Sequence, residues 1–350
     1  MLLRKPSFQR LAALFAVIAA TLLAAGCGGA DDGATATTSA GDGANAGGFP
    51  ATVHHKFGTT TVPAAPERIV SVGLTEHDTL LALGHRPIAI TEWYGDQPDG
   101  IWPWTRAELG DARPTVLQNS DGFEFERIAE LRPDLIVGTN SGMRASDYEK
   151  LSKLAPTIAA APGSTPYFSP WDEQVELIAQ ALGKPKEGRR LVADVERRFA
   201  DAAAAHPELR GKTVSFNQNA FSDGLLYSYP DGLNTEFLTL LGLSIEPRVT
   251  ALADRAGEQV GISPERLDVI DSDIVLFATE KSDDIAALER IPTFGRLRSV
   301  AEHRVVFTDG TLAGAIYFMT PLSLRHVVDR LPQELARAAA GKAPREMVGG

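Results

Sequence analysis

The chain has one cysteine, Cys27, and that scarcity excludes an intrachain disulfide framework, so the fold must rest on its apolar core. Histidines are few and scattered. His54 and His55 adjoin, His77 and His85 flank a short segment, and His206, His303 and His326 stand apart. Only Glu76, His77 and Asp78 form a local cluster, short of the three or four converging ligands that a zinc or manganese receptor needs. There is no G-x-S-x-G elbow, no P-loop, and no G-x-G-x-x-G between a strand and a helix; nothing supports an enzyme, and no catalytic residue is expected. Basic residues are outnumbered 34 to 45, a net charge of -11, which argues against nucleic acid as a partner.

Long hydrophobic runs are also missing, with one exception. After Arg4, Lys5 and Arg10 comes an apolar stretch of about 15 residues from Leu11 to Ala25, short of the ~20 that span a bilayer. Residues 1–26 therefore read as an export signal. The only cysteine sits at its end, in "LLAAGC", which resembles a bacterial lipobox except that Ala24 stands where Leu is commoner. Cys27 is the expected lipid attachment site. The Gly-, Ala- and Asp-rich segment after it offers almost nothing to bury, so residues 27–52 read as a lipidated flexible tether; ~21 such residues reach about 25 Å. The expected location is the outer face of the cytoplasmic membrane, lipid-anchored.

At 350 residues there is room for about two domains. From Arg68, strands and helices alternate: "RIVSVG", then "TEHDTLLALG" with Thr75 as N-cap, then "PIAITEW". Such alternation predicts a parallel sheet covered by helices. "FERIAELRPDLIVG" gives a short helix stopped by Pro133 and a strand buried on both faces; a helix capped by Ser146 and the strand "TIAAA" follow. The same pattern returns as "PERLDVIDSDIVLF". Glu126, Arg127 and Asp134 match Glu265, Arg266 and Asp273 without a gap, each pair 139 apart, as 265 is from 126. Two lobes of like architecture are expected, residues 53–168 and 207–345, with a linking helical segment, 169–206, between them. In that segment Ser169 is the expected cap, and Leu191, Val192, Val195 and Phe199 share one helix face. A long helical crossing disfavours large closure.

In a parallel α/β lobe, the loops beyond the carboxyl ends of the strands form the binding crevice. "EWYGDQPDGIWPWTR" supplies Trp93, Tyr94, Trp102, Trp104 and Arg106 on a loop broken by glycines and prolines, so these rings are candidates for gripping an apolar ligand surface, or else form a satellite core beneath the loop. "LLYSY" adds Tyr227 and Tyr229, of which one can face the core, and a late loop adds Tyr317 with Phe318. Arg144 and Lys281 follow "LIVG" and "DIVLF" at matching places; either is available for an anionic ligand, or stands as a solvated loop charge.

The paired "FERIAELRPDLIVG" and "PERLDVIDSDIVLF", with "PWDEQVELIAQALGK" and "FGRLRSVAEHRVVFTDGTLAGAIYFMTPLSL", resemble the helix-linked class of bacterial substrate-binding proteins, the iron-siderophore lipoproteins in particular. The resemblance covers nearly everything from Val53 to Leu335. It implies an α/β fold of two Rossmann-like lobes with parallel-rich sheets joined by one long helix. It also implies a monomer, a ferric siderophore held between the lobes, and delivery to an ABC importer permease. Glu126 and Glu265 match the family's permease-docking glutamates; each also suits a helix N-terminus through the dipole, worth about 0.3–1 kcal/mol. A ferric siderophore brings its own oxygen ligands, so no direct metal ligand and no cofactor are expected, with ferric iron present only as part of a bound chelate. Haem or cobalamin is the alternative within the same family. A zinc or manganese receptor and a non-transport surface lipoprotein are the further ones.

Overall fold

A computed structural model describes residues 48–349 apart from 168 and 256; the expected export signal, residues 1–26, and the expected lipid site, Cys27, lie outside the described residues. An antiparallel hairpin, β1 (Ala51–His55) and β2 (Gly58–Val62), opens the folded part. Its alternation puts Ala51, Val53 and His55 inward, and His55 shares a 2.8 Å hydrogen bond with Thr60.

Five short strands follow, all parallel: β3 (Ile69–Ser71), β4 (Ala89–Thr91), β5 (Thr115–Leu117), β6 (Leu135–Gly138) and β7 (Thr157–Ala159), in the order β5-β4-β3-β6-β7. Parallel neighbours need crossovers, which is why the apolar runs here alternate with helices. β3, β4, β6 and β7 are buried along their whole length, as strands covered on both faces are.

The second sheet is mixed. β8 (Thr213–Ser222), β9 (Leu225–Tyr229), β10 (Ser244–Ile245), β11 (Val260–Ile262), β12 (Ile274–Ala278), β13 (Val305–Thr308) and β14 (Met347–Val348) run β11-β9-β8-β12-β13-β14, with β10 beside the start of β8. β9 returns antiparallel on β8 and carries β11 antiparallel in turn.

The repeated sequence performs one repeated job. Asp134 accepts hydrogen bonds from the Glu67 and Arg68 backbone N–H groups, both at 2.8 Å, fixing the chain as it enters β3. Asp273 accepts from the N–H and hydroxyl of Thr213, at 3.1 and 3.2 Å, at the start of β8. The elements before them differ. Phe125–Glu130 is α-helical, whereas Pro264–Ile270 is a 3₁₀ helix with Arg266 off helical geometry. Stiff β-branched Val269 and Ile270 stand where the first copy has Glu130 and Leu131.

Between the lobes, helix Trp171–Ala181 leads into a 21-residue helix, Pro185–Ala205, about 31 Å long at 1.5 Å per residue. Leu191, Val195 and Phe199 are buried on one face, with Val192 partly so. The two helices touch at Gly188, where a Cβ would stand 2.4 Å from that of Ala179. A single buried cluster runs through Ile69 and Leu135 of the first lobe, Val175, Val195 and Phe199 of the crossing, and Phe216, Leu276 and Leu324 of the second. Continuous packing of this kind resists bending, since interiors are close-packed and transmit strain.

Two expected caps are elsewhere. Ser146 lies inside helix Ala145–Leu151; the cap is Arg144, whose N–H donates to Asp147 at 3.1 Å, a carboxylate accepting more strongly than a serine hydroxyl. Pro170, not Ser169, precedes Trp171–Ala181, and the Ser169 hydroxyl donates to Ser164 at 2.6 Å instead.

Candidate functional site

A cleft of about 670 Å³ opens between the lobes. Leu74 follows β3, Trp93 and Tyr94 follow β4, Asn140 follows β6 and Tyr167 follows β7, so the first wall consists of residues just beyond strand carboxyl ends. The second wall takes Phe216 and Gln218 from β8, Tyr227 and Tyr229 from β9, Glu280 beyond β12, and Ile316 and Tyr317 from helix Gly310–Phe318. Asn234, Glu258 and Gln259 complete the rim. A neighbouring cavity of about 960 Å³ shares Glu258 and is walled by residues 162–166 and by Leu233, Glu236 and Thr239.

The aromatic lining is braced from behind. Trp93 is 40 % exposed and meets Tyr94 edge-on, centroids 4.9 Å apart. Tyr94 lies 5.2 Å from Trp102 and 6.1 Å from Tyr317 across the interface of the lobes. Tyr229 stacks on Phe216 at 4.7 Å and 15°. The Tyr94 hydroxyl and the Asn140 side-chain oxygen are buried with no hydrogen-bond partner among the described residues. Burial, with Glu280 and Tyr229 adding to it, pushes the Tyr94 phenol well up. Burial does the same for Tyr229, and for Tyr317 together with Tyr229 and Tyr94. These phenols therefore stay neutral and keep their O–H donors at physiological pH. Burial also pushes the Glu280 carboxyl up; Asp284 adds to this and Lys281 opposes it.

Of the residues expected at the site, Trp93, Tyr94, Tyr227, Tyr229 and Tyr317 line the cleft together. Trp102 and Trp104 stand behind it. They stack at 4.9 Å and 17°; Trp102 is only 4 % exposed and its ring lies where a Cβ on Gly314 would come within 2.6 Å. Trp104 donates through Nε1 to Asp78 at 2.8 Å, and Asp78 also accepts from the Thr320 hydroxyl at 2.6 Å. These two rings are thus the packed core of the loop and a strut to the second lobe, because one flat face of each is already filled. Arg106 donates to the Pro98 and Ile101 carbonyls at 3.1 and 2.9 Å, closing its own loop. Arg144 pairs with Asp147 and is 80 % exposed, and Lys281 caps Ser282–Glu289 with its N–H on Asp284 at 3.0 Å. Neither cation lines the cleft; their matching places are matching helix caps.

The Glu76, His77 and Asp78 cluster is buried and turned to the same strut. Glu76 accepts from the Asn140 N–H at 2.5 Å, beneath a Gly73 that leaves no room for a Cβ. Burial drives the Asp78 carboxyl up to about 7, against the hydrogen bonds from Thr320 and Trp104, and drives His77 down to about 4. Glu126 and Glu265 are exposed at the starts of their elements, away from the cleft lining.

Tyr167, Asn140, Gln218, Gln259, Glu258 and Glu280 escaped the sequence reading. Asn140 and Glu280 obey the same carboxyl-end rule that points to Arg144 and Lys281 nearby, and in each loop they, not the cation, line the cleft.

The profile of the family described as periplasmic binding protein matches residues 69–312, from β3 to the second-lobe helix that forms the cleft wall. A periplasmic solute binding protein from Mycobacterium smegmatis str. MC2 155 superposes with a TM-score of 0.77 at 40% identity, over 83% of this chain and 98% of that one. The iron-uptake protein PiaA of Streptococcus pneumoniae TIGR4, in complex with ferrichrome, does so with 0.70 at 26% identity, over 83% and 99%. Among curated sequences, the probable siderophore-binding lipoprotein YfiY of Bacillus subtilis (strain 168) is 29% identical over 247 residues, 68% of this chain and 72% of that one. The profile spans well over half of the chain, from the first parallel sheet into the second lobe: the chain belongs to the periplasmic binding protein family.

Proposed function

We propose that this protein captures a ferric siderophore outside the cytoplasm and delivers it to an ABC importer permease, without covalent chemistry of its own. The observation that carries this reading is the cleft lining, in which, among the described residues, seven are aromatic and the rest are mostly amides and aliphatics. Flat faces and neutral donors suit the outer shell of a chelate whose iron is already saturated by its own oxygens. The names of the relatives agree: PiaA holds ferrichrome, and YfiY is described as siderophore-binding. Cys27 carries the lipid, residues 27–50 are the tether, since Ala51 and Thr52 already belong to β1, and Glu126 and Glu265 meet permease arginines, one per lobe, while the monomer's two lobes, 51–168 and 207–345, stay nearly fixed on the 169–206 crossing.

Tryptophan fluorescence of the full chain in mild detergent, titrated with ferrichrome, other ferric chelates, haem and cobalamin, tests the capture. Saturable quenching by a ferric chelate that weakens about 10-fold in Trp93→Ala is the expected result. A response confined to haem or cobalamin would replace the cargo, and none at all would overturn the reading. For delivery, replacing both Glu126 and Glu265 by Ala leaves chelate affinity in place and depresses uptake by whole cells; undiminished uptake removes the docking assignment.

A further inference from the structure

Ferric chelates differ in charge more than in size. Three hydroxamate monoanions neutralise ferric iron, and a pendant ammonium makes such a complex cationic; three catecholate dianions leave it trianionic. On the siderophore reading above, the cleft must distinguish these.

Among the described residues, its ionisable lining apart from the phenols consists of two carboxylic acids, Glu258 and Glu280, and includes no Arg, Lys or His. Glu280 stands at the carboxyl end of β12, its backbone N–H donating to Asp284 at 3.0 Å, so its place is fixed by a strand and a helix start. Glu258 lies where the cleft meets the neighbouring cavity, in whose lining Arg255 is the one cation among the described residues. Arg144 is committed to Asp147, and Lys281 is not among the lining residues. The remaining polar lining, Asn140, Gln218, Asn234, Gln259 and the tyrosines, is neutral. An anion entering this cleft loses water without gaining a counter-charge, and desolvating an unpaired charge is costly. The net charge of -11 acts in the same direction at longer range.

We infer that the cleft selects ferric chelates of zero or positive charge, the trihydroxamate class, and that Glu258 and Glu280 are the specificity determinants that turn away trianionic catecholates and ferric citrate.

The full chain is titrated with ferrioxamine B as the cationic probe, ferrichrome as the neutral one, and a ferric tris-catecholate and ferric citrate as the anionic ones. The two hydroxamates are expected to bind about 100-fold or more tightly than either anionic complex. In the Glu258→Gln, Glu280→Gln double variant, isosteric and checked for an unaltered melting point, the ratio of ferrioxamine B to tris-catecholate affinity falls about 30-fold. The same ratio narrows as salt is raised from about 50 to about 500 mM. Anionic chelates bound as tightly as hydroxamates, or a ratio unmoved by the double variant, overturn the charge selection while leaving the receptor reading intact. Silence toward every ferric chelate overturns both.

Discussion

The two lobes share a frame and differ in what they hang on it. Asp134 and Asp273 tie the entry of a central strand in each, and Asp147 and Asp284 receive the cap N–H of the helix after the next strand. The first lobe then adds an aromatic loop whose outer rings, Trp93 and Tyr94, face the cleft and whose inner rings, Trp102 and Trp104, hold it up. The second adds an antiparallel turn-back, β9, that presents Tyr227 and Tyr229. Repetition thus builds the scaffold and sets Asn140 and Glu280 at matching strand ends, while most of the aromatic cleft surface comes from the segments that were not repeated. That division fits the general behaviour of loops on rigid elements.

Breaking what joins the lobes has the largest expected effect. Phe199 is fully buried in the crossing helix, and Phe199→Ala should cost about 3–5 kcal/mol in urea unfolding. Because the core is continuous, the transition should remain single; two transitions would show that the lobes fold as independent units.

The Asp78 strut adds a pH test. With its carboxyl pushed up to about 7, the folded chain keeps a proton that the unfolded chain gives up near 3.8, so this group's stabilisation is lost as pH rises toward 7. His77, pushed down to about 4, acts oppositely, costing stability as pH falls below 6.5. Asp78→Asn removes this contribution and leaves those of His77 and of Glu76, whose buried carboxyl is also pushed up. The change in unfolding free energy from pH 5 to pH 7 should become more positive by on the order of 2 kcal/mol, followed by urea melts at several pH values.

The repeated clamps should differ by less. Asp134 serves two backbone donors and Asp273 one backbone donor and a hydroxyl, so Asp134→Ala should cost about 2–3 kcal/mol and Asp273→Ala about 1–2. Equal losses would mean that the hydroxyl of Thr213 matters as much as a backbone N–H. The smallest effect is expected at the matching cations: Arg144→Ala and Lys281→Ala should each change chelate affinity by less than about 2-fold, since neither lines the cleft.

The α/β class, the two like lobes and the helical crossing were legible before any coordinates, because they follow from local periodicity: continuous apolar runs of strand length, and Leu191, Val195 and Phe199 at helical spacing. The gap-free pairing of Glu126 through Asp134 with Glu265 through Asp273 fixed equivalent places in the lobes, and the aspartates there turned out to do equivalent work. What the sequence could not decide was which ring faces which side, since Trp93 and Trp102 sit on one irregular loop with no period to sort them. Tertiary contacts decided it: Gly314 of the other lobe accepts the flat face of Trp102, Asp78 takes the Trp104 N–H, and Trp93 is left to the cleft. The sign of the cleft was decided the same way, by strand ends that bring Glu280 inward while Lys281, one residue on, is spent capping a helix. Neighbouring residues of opposite charge look interchangeable in a sequence, and only the fold's geometry gives one of them to the cleft.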